Sequence, residues 1–391
     1  MEKRDCNFSG TGIAAPDAKL ELAARIAVQE ALRVKAGEQV LIISNPQRDA
    51  ALISMALYDA ALEAGGKPLL VYQPCKSQMD FAEAGVIAAF DALPEAVISI
   101  SAGKLGKDKK GIAAPYSYGG KSYDHIFHLR QYGEKNCRAF WSPSVTAESF
   151  ARTVPIDYAL LKRRCAGIGD ILDEAVSARV SAPGGTDIVI GLAGRKAKSD
   201  DGDFSAAGSG GNLPAGETFI SPQNGTAEGV IVFDGSISLH DRDIIIRTPI
   251  KCVVEKGFVR EITGGREAYE LRETVTLAAR NACRFEREGG IPAGLGEVYA
   301  KNANAIGELG IGLNPEARVS GNMLEDEKAF HTCHFAIGQN YDEDAPSLIH
   351  LDGLVKAPTI VALMPDGNER VIEHNGILVC DEPPEQRHIK K

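Results

Sequence analysis

Apolar and polar positions in the first part of the chain alternate between strand-like runs and stretches with helical period. The apolar run at residues 40–43 is followed by an Ala-rich helical stretch at 49–64 and by a second apolar run at 68–72. This order predicts a β-α-β unit. Further apolar runs at 97–100 and 138–141 extend the pattern. The sequence therefore predicts a parallel, helix-covered sheet over residues 15–165.

The pattern changes after Asp187 to short alternating runs separated by Gly, Asn and Asp, at 187–190, 229–233 and 243–246. Such spacing predicts a β-rich domain. We expect an α/β N-terminal domain with a parallel sheet, residues 1–165, and a largely β (α+β) metal-binding domain, residues 166–391. The first strand is followed by no GxGxxG motif, so dinucleotide binding is not expected.

Composition narrows the possible functions. The 391 residues are 44% apolar, enough for a large core, and carry a net charge of −10 without a run of Lys and Arg. A nucleic-acid partner is therefore not expected. No 18-residue apolar run occurs and no apolar signal core follows Met1, so we expect no membrane partner and a cytoplasmic location. Eight cysteines without a CxxC pair are expected to be free thiols.

Potential metal ligands are concentrated near the end of the chain. His331, His334 and His350 lie within twenty residues of one another, among eight histidines in all. The apolar residues around His334 predict a buried strand, on which Cys333 faces away from it, while His350 and Asp352 share one strand face and can hold one ion together. Nitrogen plus carboxylate oxygen suits zinc, cobalt, manganese or ferrous iron. The alternative is a hydrogen-bonded structural role for these side chains.

Two further carboxylates stand in unusual surroundings. Glu308 lies in an apolar, Gly-rich segment, and a buried carboxylate requires a cation nearby, either Arg or a metal. Glu217 follows a turn containing Pro214 and Gly216, which suits an oriented ligand as well as a surface carboxylate. Together with the two histidines and Asp352 they make five donors, enough for two metal ions that share a carboxylate.

These motifs resemble a known family. The segments Asn-Leu-Pro-Ala-Gly-Glu at 212–217, Gly-Glu at 307–308, His-Phe-Ala-Ile-Gly at 334–338 and His-Leu-Asp at 350–352 are similar, in this order, to the ligand motifs of thermophilic-type metallo-aminopeptidases, the relatives of aminopeptidase T and aminopeptidase S. Segments at 185–187, 194–195, 227–229, 264–268 and 326–328 also resemble family landmarks. The resemblance covers residues 155–380 well and the N-terminal domain more loosely.

The resemblance implies hydrolysis of the N-terminal bond of a peptide substrate by a homodimeric enzyme with two zinc, cobalt or manganese ions per active site. It also implies a role for Tyr341, seven residues after His334, as a hydrogen-bond donor to the tetrahedral intermediate, although Tyr341 can also be read as a loop residue. Glu308 is the expected bridging carboxylate. A separate general base does not emerge from the sequence. The five implied metal ligands are Glu217, Glu308, His334, His350 and Asp352.

Two departures from the family leave other functions open. His331 stands where the family tends to have Gly, and the spacer from His334 to His350 is short. The same superfamily resembles ferrous dihydroxypyridine dioxygenase, in which His334, His350 and Asp352 would hold one Fe(II) as two nitrogens and one carboxylate. A non-catalytic metal-binding homologue is the third possibility. His125 and His128 are predicted to lie in a solvated loop at 103–135, outside the site.

Overall fold

The computed structural model describes residues 15–77, 80–289, 291 and 293–379. The chain forms two compact units, residues 1–158 with 202–215 and residues 159–201 with 216–391. Residues 1–14 of the first predicted domain and residues 380–391 of the second lie outside the described residues. The predicted boundary at residue 165 stays a prediction.

The first unit contains a five-stranded parallel sheet. Across the sheet, the strands follow the order 210–212, 138–143, 96–101, 39–44 and 67–72. The sheet strands are β1 (Gln39–Ser44), β2 (Lys67–Tyr72), β3 (Ala96–Ser101), β6 (Arg138–Pro143) and β10 (Gly210–Asn212), and a separate hairpin pairs β4 (Tyr116–Tyr118) with β5 (Lys121–Tyr123). The helices are α1 (Ala18–Ile26), α2 (Arg48–Glu63), α3 (Ala84–Ala89), α4 (Lys109–Ala113), α5 (Ile126–His128) and α6 (Ala147–Thr153). Central strand residues such as Ile42 and Ile98 are fully buried, as expected for a parallel sheet with both faces covered.

His125 and His128 differ in their surroundings. His125 is buried, accepts a hydrogen bond from the Phe127 backbone N–H at Nδ1 and places Nε2 3.2 Å from the Gly106 carbonyl. It caps α5 and is not the solvated loop residue that the sequence suggested. His128 is half exposed. In the described part of the chain neither belongs to a group of side chains that could hold a metal.

The second unit contains two antiparallel sheets. In the eight-stranded sheet the strands follow the order 258–263, 250–255, 228–233, 187–191, 177–181, 359–363, 369–374 and 377–378. In the seven-stranded sheet the order is 243–245, 236–238, 350–356, 332–338, 306–312, 217–220 and 198–200. The strands of the first are β7 (Ser177–Ser181), β8 (Asp187–Gly191), β12 (Glu228–Phe233), β15 (Ile250–Glu255), β16 (Phe258–Thr263), β20 (Thr359–Leu363), β21 (Glu369–His374) and β22 (Ile377–Leu378). Those of the second are β9 (Lys198–Asp200), β11 (Glu217–Ile220), β13 (Ser236–Ser238), β14 (Asp243–Ile245), β17 (Ile306–Gly312), β18 (Thr332–Gly338) and β19 (His350–Lys356).

In the described part of this unit the α-helices are α7 (Tyr158–Glu174), which starts at the unit boundary, α8 (Arg266–Arg287), α9 (Gly296–Asn302) and α10 (Met323–Asp326). The predicted fold class, a parallel α/β sheet plus a largely β part, is confirmed.

Two smaller expectations can be compared with the fold. None of the described helices is both long and apolar enough to cross a membrane. The six cysteines among the described residues are free thiols, and Cys6 and Cys380 lie outside that part of the chain.

Candidate metal centre

The five predicted ligands lie on four neighbouring strands of the seven-stranded sheet. Glu217 begins β11, Glu308 lies on β17, His334 on β18, and His350 and Asp352 on β19. These strands are adjacent in the order β11-β17-β18-β19. Glu217 and Asp352, the first and last of these residues, are 135 positions apart in the chain. They meet on one sheet only because the strands pair in this order.

The pairing register places the five side chains on the same face. Glu308 pairs with Ala336, which pairs with Asp352 on its other side. Directly paired residues of an antiparallel sheet share a face, as do residues two apart on one strand. His334 and His350 are each two residues from a member of this row, and Glu217 pairs with Gly312, four residues after Glu308.

Small residues make room for the ligands on this face. A Cβ atom added to Gly310 would lie 2.0 Å from Nε2 of His334, its partner across the two strands. Atoms cannot approach that closely, so any larger residue at 310 would displace the imidazole. Ala336, between Glu308 and Asp352, is likewise small. The Gly-rich character of β17 is therefore part of the site.

The donor atoms form two groups that share Glu308. Nε2 of His334 lies 3.0 Å from Oε1 of Glu308 and 3.5 Å from Oε2 of Glu217. On the other side, Nε2 of His350 lies 3.7 Å from Oε2 of Glu308 and 3.2 Å from Oδ1 of Asp352. Within each group, one donor atom from each of the three residues lies within 4.8 Å of the others. The two oxygens of Glu308 thus face different imidazoles, as a bridging carboxylate does.

Several of the donor atoms lack hydrogen-bond partners, as expected of atoms that bind a metal ion. Oε2 of Glu217, Oε2 of Glu308 and Oδ1 of Asp352 are buried and have no hydrogen-bond partner among the described residues. Buried carboxylate oxygens are normally paired, and leaving them unpaired is costly. A divalent ion in each group would satisfy these oxygens. The combination of imidazole and carboxylate suits zinc, cobalt, manganese or iron.

A second contact orients His350. Its Nδ1 lies 2.7 Å from the Gln339 carbonyl, to which the protonated nitrogen donates. This hydrogen bond leaves Nε2, on the side of Glu308 and Asp352, as the lone-pair donor. Metal-binding histidines typically use their other ring nitrogen in this way.

The carboxylates strongly favour protonated imidazoles while no metal is bound. Burial lowers the pKa of His334, but the hydrogen bond to Glu308 and the charge of Glu217 outweigh it and raise the pKa to about 9. Burial also lowers the pKa of His350, but the negative charges of Asp352 and Glu308 outweigh it and raise this pKa to about 10. Metal binding must therefore displace protons from both rings.

Tyr341 lies beside this face, as the resemblance implied. Its ring centroid is 5.2 Å from that of His350 and 5.2 Å from that of Phe219. Partial burial and the negative charges of Glu308 and Asp352 raise its pKa well above the ordinary value. The phenol therefore keeps its proton and remains a hydrogen-bond donor.

Three charged residues next to the ligands were not identified as site residues from the sequence. Lys328 is completely buried, with Nζ 2.7 Å from Oε1 of Glu217 and 3.9 Å from Oδ2 of Asp200. The same Nζ contacts the carboxylate of Glu327. Glu327 and Lys328 belong to the Asp-Glu-Lys segment at 326–328, which the sequence marked only as a family landmark. That a segment so charged is buried could not be read from its composition.

The loop of residues 339–349, which carries Tyr341, is held by two basic residues. Arg195 donates to Asp342 at 3.1 Å and to Asp344 at 2.6 Å, and Lys198 donates to the Tyr341 carbonyl at 2.7 Å. The Arg195 side chain is largely buried while it makes these contacts. The short spacer between His334 and His350 is therefore a fixed loop.

Comparison of the sequence with known proteins finds similarity to a dioxygenase family. The family model described as NicX, 2,5-dihydroxypyridine 5,6-dioxygenase, matches residues 144–337. A 2,5-dihydroxypyridine 5,6-dioxygenase of Pseudomonas putida KT2440 is 33% identical over 180 residues, which are 46% of this chain and 45% of the relative. The chain thus matches less than half the length of that curated relative.

Comparison of the fold finds both enzyme types. The 2,5-dihydroxypyridine dioxygenase from Pseudomonas putida KT2440 superposes with a TM-score of 0.67 at 20% identity, covering 95% of this chain and all of that one. AmpT from Thermus thermophilus superposes with a TM-score of 0.62 at 19% identity, covering 92% and 99%. These similarities establish the shared fold and, with the sequence match, support an enzyme.

Proposed function

We propose that this protein is a metal-dependent hydrolase of the aminopeptidase type, with a dinuclear centre held by Glu217, Glu308, His334, His350 and Asp352. The observation that carries the proposal is that the two oxygens of Glu308 face two separate ligand groups. Two ions that share a carboxylate are a common arrangement in hydrolases, aminopeptidases included. The similarity to the AmpT fold is in accord with it.

The composition of the ligand groups favours two ions over one. Each group in the described part of the chain consists of one imidazole and two carboxylates, and neither contains both His334 and His350. A single Fe(II) held by His334, His350 and Asp352 would need both imidazoles at one ion. It would also leave the buried Oε2 of Glu217 without a partner.

The proposed substrate is a peptide with a free amino terminus. Two divalent ions would polarise the carbonyl of its first peptide bond and lower the pKa of a water molecule. Tyr341 would donate a hydrogen bond to the oxygen that gains charge. Burial, partly offset by the ammonium of Lys328, raises the pKa of Glu327 to about 8. Glu327 could therefore hold a proton and return it near neutral pH.

The second candidate is a mononuclear Fe(II) dioxygenase acting on a dihydroxypyridine. It is favoured by the sequence match over residues 144–337, a span that includes three of the five ligands. The sequence comparisons support the dioxygenase alone, and the fold comparisons include both a dioxygenase and AmpT. The comparisons thus support this candidate about as well as the peptidase, and the geometry of Glu308 is the reason for placing it second.

Elemental analysis of the purified protein separates the two, with His350→Ala as the control. About two zinc, cobalt or manganese ions per chain, fewer in the variant, together with hydrolysis of amino-acid amides or short peptides, would support the proposal. One iron per chain and oxygen consumption with 2,5-dihydroxypyridine would replace it with the dioxygenase. Metal binding with neither activity would indicate a non-catalytic homologue.

A further inference from the structure

Lys328 is a fixed positive charge inside the ligand cluster. Its side chain is fully buried and contacts the carboxylates of Glu217 and Glu327, with Asp200 at 3.9 Å. Burial lowers the pKa of Lys328, but the charges of Glu217, Glu327 and Asp200 outweigh it and raise the pKa above the ordinary value. Contacts with this many carboxylates favour the charged ammonium form of Lys328.

The charge of Lys328 acts more directly on one of the two ligand groups than on the other. Lys328 donates to Oε1 of Glu217 at 2.7 Å, which leaves only Oε2 facing His334. We call Glu217, Glu308 and His334 the Lys328-side subsite, and Glu308, His350 and Asp352 the Asp352-side subsite. In the first, one carboxylate is already neutralised by a cation that cannot leave.

The Asp352-side subsite lacks such a competitor. The nitrogen next to Asp352, at 3.2 Å, belongs to His350, which is itself a ligand of this subsite and not a separate cation that competes for Asp352. His350 is also the more accessible of the two histidines, with 24% of its side chain exposed against 1% for His334. An incoming ion therefore meets less repulsion and easier access at this subsite.

We propose that Lys328 makes the two subsites unequal, so that the Asp352-side subsite fills first and the Lys328-side subsite fills only at higher metal concentration. This inference rests on the dinuclear site of the proposed function and adds the order of filling. It makes Lys328 a positioning residue, acting through Glu217. A one-metal state is then a normal intermediate in loading the enzyme.

The test is calorimetric titration of the metal-free protein with Co²⁺, followed in parallel by the visible absorption of bound cobalt. The wild type should show two separate binding steps. In Lys328→Met, which keeps much of the aliphatic bulk, the second step should become about tenfold stronger or more while the first changes little, because the repulsion is removed. Lys196→Met is the matched control, since Lys196 is exposed and pairs with Asp173 at 3.0 Å.

A second variant keeps the test informative if Lys328→Met does not fold. Glu327→Gln retains Lys328 but removes one of the carboxylates that contact its Nζ, which leaves more of the ammonium charge acting on Glu217 above about pH 8. The second cobalt step should then weaken more than the first. A second step that is unchanged in both variants, or weaker in Lys328→Met, would overturn the inference.

The outcomes also separate this inference from the proposed function. Two cobalt ions that bind wild type in one step, with equal affinity in all variants, would refute the role of Lys328 and leave the dinuclear hydrolase standing. A wild type that takes up one ion at saturation, together with a Lys328→Met variant that takes up two, would support the role of Lys328 and contradict a dinuclear native enzyme.

Discussion

Glu308 and Glu373 are both buried glutamates of the second unit, but their surroundings are opposite. Glu308, 3% exposed, has an imidazole beside each of its oxygens. Glu373, on β21 of the eight-stranded sheet, is 1% exposed, and its Oε2 has no hydrogen-bond partner among the described residues. Burial alone raises the Glu373 pKa to about 8. A buried carboxylate therefore becomes a ligand site only when its neighbours supply nitrogen and further oxygen.

The same contrast separates the two faces of β18. His334 faces Glu308, whereas Cys333, its neighbour in sequence, lies on the opposite face of the strand. Cys333 is fully buried, and burial, with a smaller contribution from the charges of Glu373 and Asp234, raises the pKa of its thiol well above the ordinary value. One face of β18 thus carries the predicted metal ligands, whereas the opposite face is an environment in which the thiol of Cys333 and the carboxyl group of Glu373 stay protonated.

The strongest test of the comparison is Glu308→Gln. Because Glu308 contributes to both ligand groups, we expect it to weaken binding of both ions by about 100-fold or more and to abolish turnover. Metal content after dialysis and peptide hydrolysis measure the two effects. Full metal occupancy with normal rates would make Glu308 a structural carboxylate like Glu373.

Glu373→Gln should leave metal content unchanged and alter stability with pH. The folded pKa of about 8 lies above the reference value of 4.5, so the folded state holds the extra proton and wild-type stability falls as pH rises from about 4.5 to 8. Gln does not titrate. Relative to wild type, the variant should gain roughly 2–4 kcal/mol between pH 5 and pH 9. Denaturant unfolding at both pH values measures this, and a pH-independent difference would contradict it.

Tyr341→Phe probes the edge of the metal face. It removes one hydroxyl while keeping the ring against His350 and Phe219. We expect kcat to fall roughly 10- to 100-fold, with metal content unchanged, because the lost hydrogen bond acts on the transition state. Steady-state kinetics measure it. An unchanged kcat would return Tyr341 to the role of a loop residue.

The smallest expected effect is that of Arg195→Ala, which frees the 339–349 loop from two of its ion pairs. We expect a few-fold loss of kcat/KM, because Tyr341 would no longer be held in place. Arg179→Ala is the control: Arg179 pairs with Asp187 on the eight-stranded sheet, where both side chains are largely exposed. Equal losses in the two variants would show that the loop has no special role.

The sequence by itself determined the parallel sheet of the first unit, the β-rich second unit and the identity of the five side chains that meet on one sheet face. Periodicity predicted the two sheets, because a strand places every second residue on one face. The pair of His350 and Asp352 follows from this rule alone. The five side chains were selected by their unusual surroundings and, as a set, by the resemblance to the metallo-aminopeptidases.

Only the tertiary structure decided how those side chains form two ligand groups and which charged residues lie next to them. The sharing of Glu308 depends on the order and register of β11, β17, β18 and β19. The burial of Lys328 against Glu217, a residue 111 positions earlier, depends on the same pairing. Long-range strand pairing leaves no local pattern, so charged residues such as Lys328 and Glu373 look solvent-exposed in the sequence until the sheets enclose them.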